Sequence, residues 1–240
     1  MKKPYFSLLA GMLLLGCGAA SAANSPLQQQ LAEMDKGASS ALDSFVYTID
    51  GLDVTAWMDG NPVIIKVPIF NEHHEWQGDS RYYFKQGKLF AVAMPYGSYQ
   101  FDNKGAMILW LNEEGKSEEL PGSAAWNQRQ EWLKNRAGKL ALAFLPSRYE
   151  LELKRPKTEV HVQGEEKIAY LCRGRLYALT GAEKIISDTL APKVQGDSQS
   201  GKVQILVNKQ WQPIQFSCHV DGANRVNHLT YRLLPAESGK

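Results

Sequence analysis

The chain has 240 residues, with 27 Lys or Arg against 25 Asp or Glu and a formal net charge of +2. A near-neutral chain with its charges mixed in sign leaves no electrostatic footprint for nucleic acid or an anionic membrane surface. Beyond the N-terminus no window approaches the ~18 apolar residues that a helical bilayer crossing takes.

Met1-Lys2-Lys3 is basic, and Phe6 to Leu15 (FSLLAGMLLL) follows as an unbroken apolar run. Ten helical residues at about 1.5 Å each span about half of a ~30 Å hydrocarbon core. A short apolar region behind a basic start predicts an export signal over 1–22, with the remainder in the bacterial periplasm. Two processing sites stand open. Leu14-Leu15-Gly16-Cys17 resembles a lipobox, with Leu where a small residue is usual, and makes Cys17 a candidate lipidation site after a signal of 1–16. Ala20-Ser21-Ala22 is a small-x-small site for ordinary signal peptidase. On the lipoprotein reading, Gly18 to Pro26 is a flexible tether, and with Gly18 rather than Asp after the cysteine, resemblance to enteric sorting rules implies the outer membrane. Lys2 and Lys3 leave with the signal, so the exported body is neutral. At about 220 residues it is long enough for one large or two small domains.

Cys17 is lipidated or removed, so the folded body keeps Cys172 and Cys218. An even pair in an oxidising compartment predicts a structural disulfide. It closes a loop for which chain entropy gives about 4 kcal/mol. A redox pair is the other reading, but it usually takes Cys-x-x-Cys spacing.

Residues 23–44 read as a linker or loose helix. Leu27, Leu31, Met34 and Leu42 are spaced for an amphipathic helix, interrupted near Gly37. From Phe45 to Leu111 the period changes to that of strands. Phe45–Ile49 and Leu52–Met58 flank Asp50-Gly51, a hairpin dipeptide. Val63–Phe70 carries Pro68 and is expected at an edge or with a bulge. Arg81–Phe84 and Lys88–Met94 flank Gln86-Gly87, and Tyr99–Phe101 and Ala106–Leu111 flank Asp102–Gly105. Trp126–Leu145 is a helix, with Trp126, Leu133, Ala137, Leu140, Ala141 and Phe144 near one face and Pro146 ending it. Arg148–Lys154 (RYELELK) alternates and predicts a strand. Pro156-Lys157 marks a boundary, giving one domain over 45–155 and a small one over 156–240.

In the second domain Glu165 to about Ile185 predicts a helix with Ile168, Cys172, Leu176 and Leu179 in one stripe. Gly174 counts against it. Val203–Val207, Gln212–Val220 and Arg225–Leu233 predict strands, turning at Asn208-Lys209 and Asp221-Gly222. The fold class expected is α+β: an antiparallel meander with a packing helix, then a disulfide-stapled helix-plus-antiparallel-sheet unit.

Two stretches carry a resemblance. Arg81 to Ala137 (RYYFKQGKL…YQFDNKGAMILWLNEEGK…WNQRQEWLKNRA) resembles a YYF-x-x-GKL meander followed by a helix in bacterial envelope lipoproteins. Cys172 to Tyr231 (CRGRL…KVQILV…FSCHVDGANRVNHLTY) resembles helix-plus-sheet modules of exported proteobacterial proteins. Together they cover about half of the chain, and they imply fold and compartment, without an activity or site residues.

The chemistry-bearing motifs are few. Gly196 to Lys202 fits G-x-x-x-x-G-K, but Val203 stands where a hydroxyl should hold Mg²⁺, and a strand follows in place of a helix, so a polar hairpin loop is expected. Glu72-His73-His74-Glu75 is the densest group of metal-capable residues. In extended chain His73 and His74 point to opposite faces and cannot share an ion, which leaves them weak candidates. His161, His219 and His228 read as surface histidines. There is no G-x-S-x-G elbow and no free cysteine nucleophile. Glu118-Glu119 and Glu165-Glu166 read as exposed carboxylates. Trp76, Tyr82, Tyr83, Tyr96, Tyr99 and Trp110 crowd the meander; they are either core or a partner-binding face, since Tyr and Trp are enriched at interfaces.

The sequence therefore argues against most enzyme chemistry and for no cofactor. The expectation is a non-catalytic envelope protein that binds another envelope protein, as an inhibitor with an immunity-like role or as an assembly accessory. Its membrane contact would run only through lipidated Cys17. The other reading is an envelope hydrolase, acting on peptidoglycan or another glycan through dispersed carboxylates.

Overall fold

Ser25 caps the first helix, accepting from the Gln28 backbone while the Gln28 side chain accepts from the Ser25 backbone N–H. The reciprocal pair satisfies donors that a helix start leaves open. The computed structural model describes residues 25–157, 159–187 and 191–235, so the export signal expected over 1–22 and the lipidation expected at Cys17 fall outside the described residues. No described helix is long and apolar enough to cross a membrane.

The elements in chain order are α1 (Pro26–Ala41), β1 (Asp43–Ile49), β2 (Leu52–Asp59), β3 (Asn61–Phe70), β4 (Trp76–Lys85), β5 (Lys88–Met94), β6 (Gly97–Phe101), β7 (Met107–Asn112), α2 (Ala124–Ala143), α3 (Arg148–Leu153), α4 (Gly164–Thr180), β8 (Lys184–Ser187), β9 (Lys193–Gln195), β10 (Ser198–Val207), β11 (Gln210–Val220) and β12 (Val226–Leu233). The result is an α+β chain dominated by one long sheet. Its order is β7-β6-β5-β4-β3-β2-β1-β12-β11-β10-β8, with β9 also on β10. All neighbours are antiparallel except β1 and β12, which run parallel with Val46 opposite His228 and Tyr47 opposite Leu229.

The two expected units therefore do not make separate sheets. Seven strands from the first part and the strands of the last part join edge to edge through β1 and β12. The boundary expected at Pro156-Lys157 falls between α3 and α4, and the sheet continues past it.

Two-residue turns set much of the register. Asp50-Gly51 and Asn208-Lys209 have both central φ values positive, at 52° and 79°, and 50° and 63°. That geometry matches the right-handed twist of the flanking strands. Alternation then divides the side chains between two faces. Tyr82 and Phe84 enter a large core under α2 and α4, together with Tyr47, Ile65, Val92, Leu133, Leu176 and Ile214. Tyr83 points the other way, into a smaller core with Ile64, Ala91 and the α1 residues Leu27, Leu31 and Ala38.

Several expectations change. The N-terminal helix runs through Gly37 without a break and covers one face of the sheet instead of serving as a linker. β3 is an interior strand, between β2 and β4. Its Pro68 is tolerated because pairing with β2 ends at Lys66, opposite Thr55, so Pro68 meets a partner only on the β4 side. The bulge expected as the alternative to an edge position fits the register shift of β3 on β4 between Ile69 and Phe70. Arg148–Leu153 is helical, and the strand expected there is absent. Ser147 and Glu150 form a second capping box, and six residues are too few for alternation to tell helix from strand. The α4 helix stops at Gly181, in the left-handed conformation (φ 63°), and Ile185 lies in β8. Cys172 on α4 and Cys218 on β11 are joined by a disulfide with a Cα–Cα distance of 5.9 Å.

Candidate functional site

The aromatic residues singled out from sequence part into two sets. Tyr82, Tyr83 and Tyr99 are buried and structural. The Tyr83 hydroxyl meets Asp35 of α1 at 3.2 Å, and Arg81 pairs with the same carboxylate at 2.7 Å. Burial raises the Tyr82 phenol to about 12, against the pull of Arg136. Trp110 is half-buried against the Tyr99 and Trp126 rings, with the Arg129 guanidinium 5.5 Å from its centroid. Trp76 and Tyr96 remain in solvent, at 62% and 50% exposure.

Those two exposed rings lie at the same end of the sheet. β3 ends and β4 begins there, with Phe70 opposite Trp76 in register, and Phe70 is 45% exposed. The turn after β5 carries Tyr96 to this edge. Pro95 beside it lies over Gly78 of β4, where a Cβ would come within 2.8 Å of the Pro95 ring. The Trp76 indole N–H donates to Asp79 at 3.3 Å. The topology brings the turns 50–51, 71–75, 95–96 and 113–116 to this end, while 117–119 runs back beside β7, the Glu118 N–H donating to the Trp110 carbonyl at 3.1 Å. These turns carry Asp50, Glu72, Glu75, Glu113 and Glu114 against Lys116 alone, and Lys116 is bound to Glu114 at 2.7 Å. The rim is thus apolar rings set among carboxylates.

His73 and His74 lie in that 71–75 turn. The Asn71 side chain shapes it by accepting from the backbone N–H groups of His73 and Glu75, both at 2.9 Å. His74 has a positive φ of 60°. Among the described residues no group of three His, Cys, Asp or Glu side chains is placed to hold a metal ion. His219 and His228 oppose each other on β11 and β12. His219 meets Asn227 at 2.7 Å. Burial lowers the His228 imidazole below its usual range, Asp53 acts against this, and His219 adds to it. Gly196 to Lys202 is a turn and the first half of β10, a hairpin without phosphate-loop geometry.

One polar cluster escaped the sequence reading. Glu150 and Arg175 are each 2% exposed and paired with each other. Arg175 also donates to the carbonyls of Ala143 and Leu145 at 3.0 and 2.9 Å, closing the end of α2. Glu150 accepts from the backbone N–H of Ser147 at 2.6 Å and of Val226 at 2.9 Å. The Arg175 guanidinium lies 4.7 Å from the Tyr47 ring centroid, and the Tyr47 hydroxyl donates to the Val226 carbonyl. Burial raises the Tyr47 phenol above its ordinary value, with Arg175 acting against it. This cluster fastens α2, α3, α4, β1 and β12 together and faces no solvent. Its one sequence signal is Ser147-x-x-Glu150, a capping box.

A cleft of about 550 Å³ lies between α4 and the β8–β10 side of the sheet. Leu176, Ile185, Val203 and Phe216 are buried at its base, and among the described residues Glu166 is the one acidic residue lining it. A hydrolytic acid–base pair needs two carboxylates about 5–9 Å apart, and the described lining supplies one.

No family model matches the chain, and no curated protein or solved structure is significantly similar to it.

Proposed function

We propose that this is an exported protein of the bacterial envelope, acting without catalysis by binding another envelope protein through the acidic aromatic rim. Export rests on the basic start and short apolar run at residues 1–22. Attachment to the outer membrane would follow from lipidation of Cys17. The observation that carries the binding role is the grouping of exposed Phe70, Trp76 and Tyr96 at one end of the sheet whose turns carry five carboxylates. Large rings supply contact area at low entropy cost, and a surplus of carboxylates selects a basic surface. Such a contact suits an inhibitor of a basic envelope enzyme, or an accessory that steadies a basic assembly component. The hydrolase reading gains no support from the cleft between α4 and β10, whose described lining offers Glu166 as its one carboxylate.

A photo-crosslinking residue placed at 76 or 96 tests this in cells, with position 104 at the opposite strand end as the comparison. Positions 76 and 96 are expected to yield one discrete adduct with the same protein, position 104 none, and Glu72→Lys with Glu75→Lys to suppress it. Diffuse or absent adducts at 76 and 96, or equal yield from 104, would overturn the proposal.

A further inference from the structure

We infer that the cleft between α4 and β10 is a binding site for a short apolar peptide with free termini. The inference is independent of the rim, which lies elsewhere on the sheet.

Its volume, about 550 Å³, is in the range of small-ligand sites. Leu176, Ile185, Val203 and Phe216 give it an apolar base. Gln199 lines it from β10, is 8% exposed, and its carboxamide makes no hydrogen bond to any described residue. Its amide atoms are not among the buried unpaired ones, so they remain open to the cleft and can exchange water for a ligand's polar group. A carboxamide offers a donor and an acceptor side by side, and the complementary partner is another amide, such as a peptide unit.

The cleft is preformed. Gln199 stands opposite Cys218, whose disulfide to Cys172 ties β11 to α4, so two walls are covalently held. The third wall approaches because Gly201 has no side chain; a Cβ there would come within 2.8 Å of the Pro192 Cα.

Two charges stand at the mouth. Glu166 and Arg173 both line the cleft from α4, are exposed, and take part in no ion pair among the described residues. Seven helical residues separate them by about 10 Å along the axis. An extended tripeptide is about 10 Å long. Its ammonium can meet Glu166 and its carboxylate Arg173, while an internal amide meets Gln199 and an apolar side chain fills the base.

Titrating the disulfide-intact exported chain with trileucine, followed by backbone amide NMR shifts, tests the site. Trileucine is expected to bind with shifts centred on α4 and β10, and triglycine to leave the spectrum unchanged. Gln199→Leu should weaken trileucine by about ten-fold or more, the loss of one matched buried pair. Glu166→Ala and Arg173→Ala should each weaken trileucine several-fold and leave N-acetyl-trileucine amide unaffected. Ala169→Trp, which fills the cleft from the half-exposed helix face, should abolish binding while the far-ultraviolet circular dichroism stays unchanged. No shifts at millimolar trileucine, or binding that Gln199→Leu does not alter, would refute the inference.

Discussion

Gly174 sits where α4 meets α3, and a methyl group there would overlap the Tyr149 ring, which itself packs against Tyr170 and Tyr177. Gly138, in the second half of α2, has nothing within 4 Å of its absent Cβ. The same substitution should therefore act in opposite directions. Gly174→Ala should lower stability by about 1–3 kcal/mol through overpacking. Gly138→Ala should raise it by about 0.5–1 kcal/mol through helix propensity. Urea denaturation of both variants checks this, and equal shifts of one sign would contradict the packing shown. Propensity alone counts Gly174 against the helix, because the ring that requires it comes from another element. Alternation likewise separates Tyr82 from Tyr83, yet it says nothing of what covers each face. Trp76 and Tyr96 thus look the same in sequence as the buried Tyr99. Gln199 lies in a polar, glycine-flanked stretch, and nothing local shows that its side chain turns into a cleft.

The helix α1 shows how an element's worth depends on its surroundings. Its apolar positions are few, and Gly37 falls inside it, so its own sequence favours a loose or linking role. The sheet beneath supplies what propensity does not. Ile64, Tyr83 and Ala91 form an apolar patch that α1 covers with Leu27, Leu31 and Ala38, and Asp35 adds contacts to Arg81 and Tyr83. Most helical stability in proteins comes from such packing. Leu31 is 4% exposed, so Leu31→Ala should cost about 2–4 kcal/mol. Glu33→Ala, on the solvent side of the same helix, should stay within about 0.5 kcal/mol. A linker would give no difference between the two variants in chemical denaturation. The strands were readable from their period and turns, since Asp50-Gly51, Gln86-Gly87 and Asn208-Lys209 all lie at hairpins. The helix α3 was misread because its six residues alternate by accident, and only its capping box distinguishes it.

At the scale of the whole molecule, the decisive contact is the parallel pairing of β1 with β12, strands separated by most of the chain. Period-two patterning tells a strand which face is buried and leaves its neighbour unspecified. The single sheet was therefore hidden, although nearly every strand in it was visible. The pairing is reinforced where Tyr47 of β1 lies against Arg175, and where Glu150 holds both Arg175 and the first N–H of β12. The large core runs across the same seam, from Val92 and Leu133 to Ile214 and Cys218. Two parts that share a core and a sheet should unfold together. Fluorescence of Trp211 alone, with the other five tryptophans replaced by Phe, should therefore give the same midpoint as far-ultraviolet circular dichroism. Glu150→Gln leaves Arg175 buried with an uncompensated charge, which typically costs about 3–5 kcal/mol. Because Glu150 touches both sides of the seam, both signals should move down in parallel. If the Trp211 signal shifts while the circular dichroism midpoint holds, the two parts are energetically separate, and the shared sheet does not couple them.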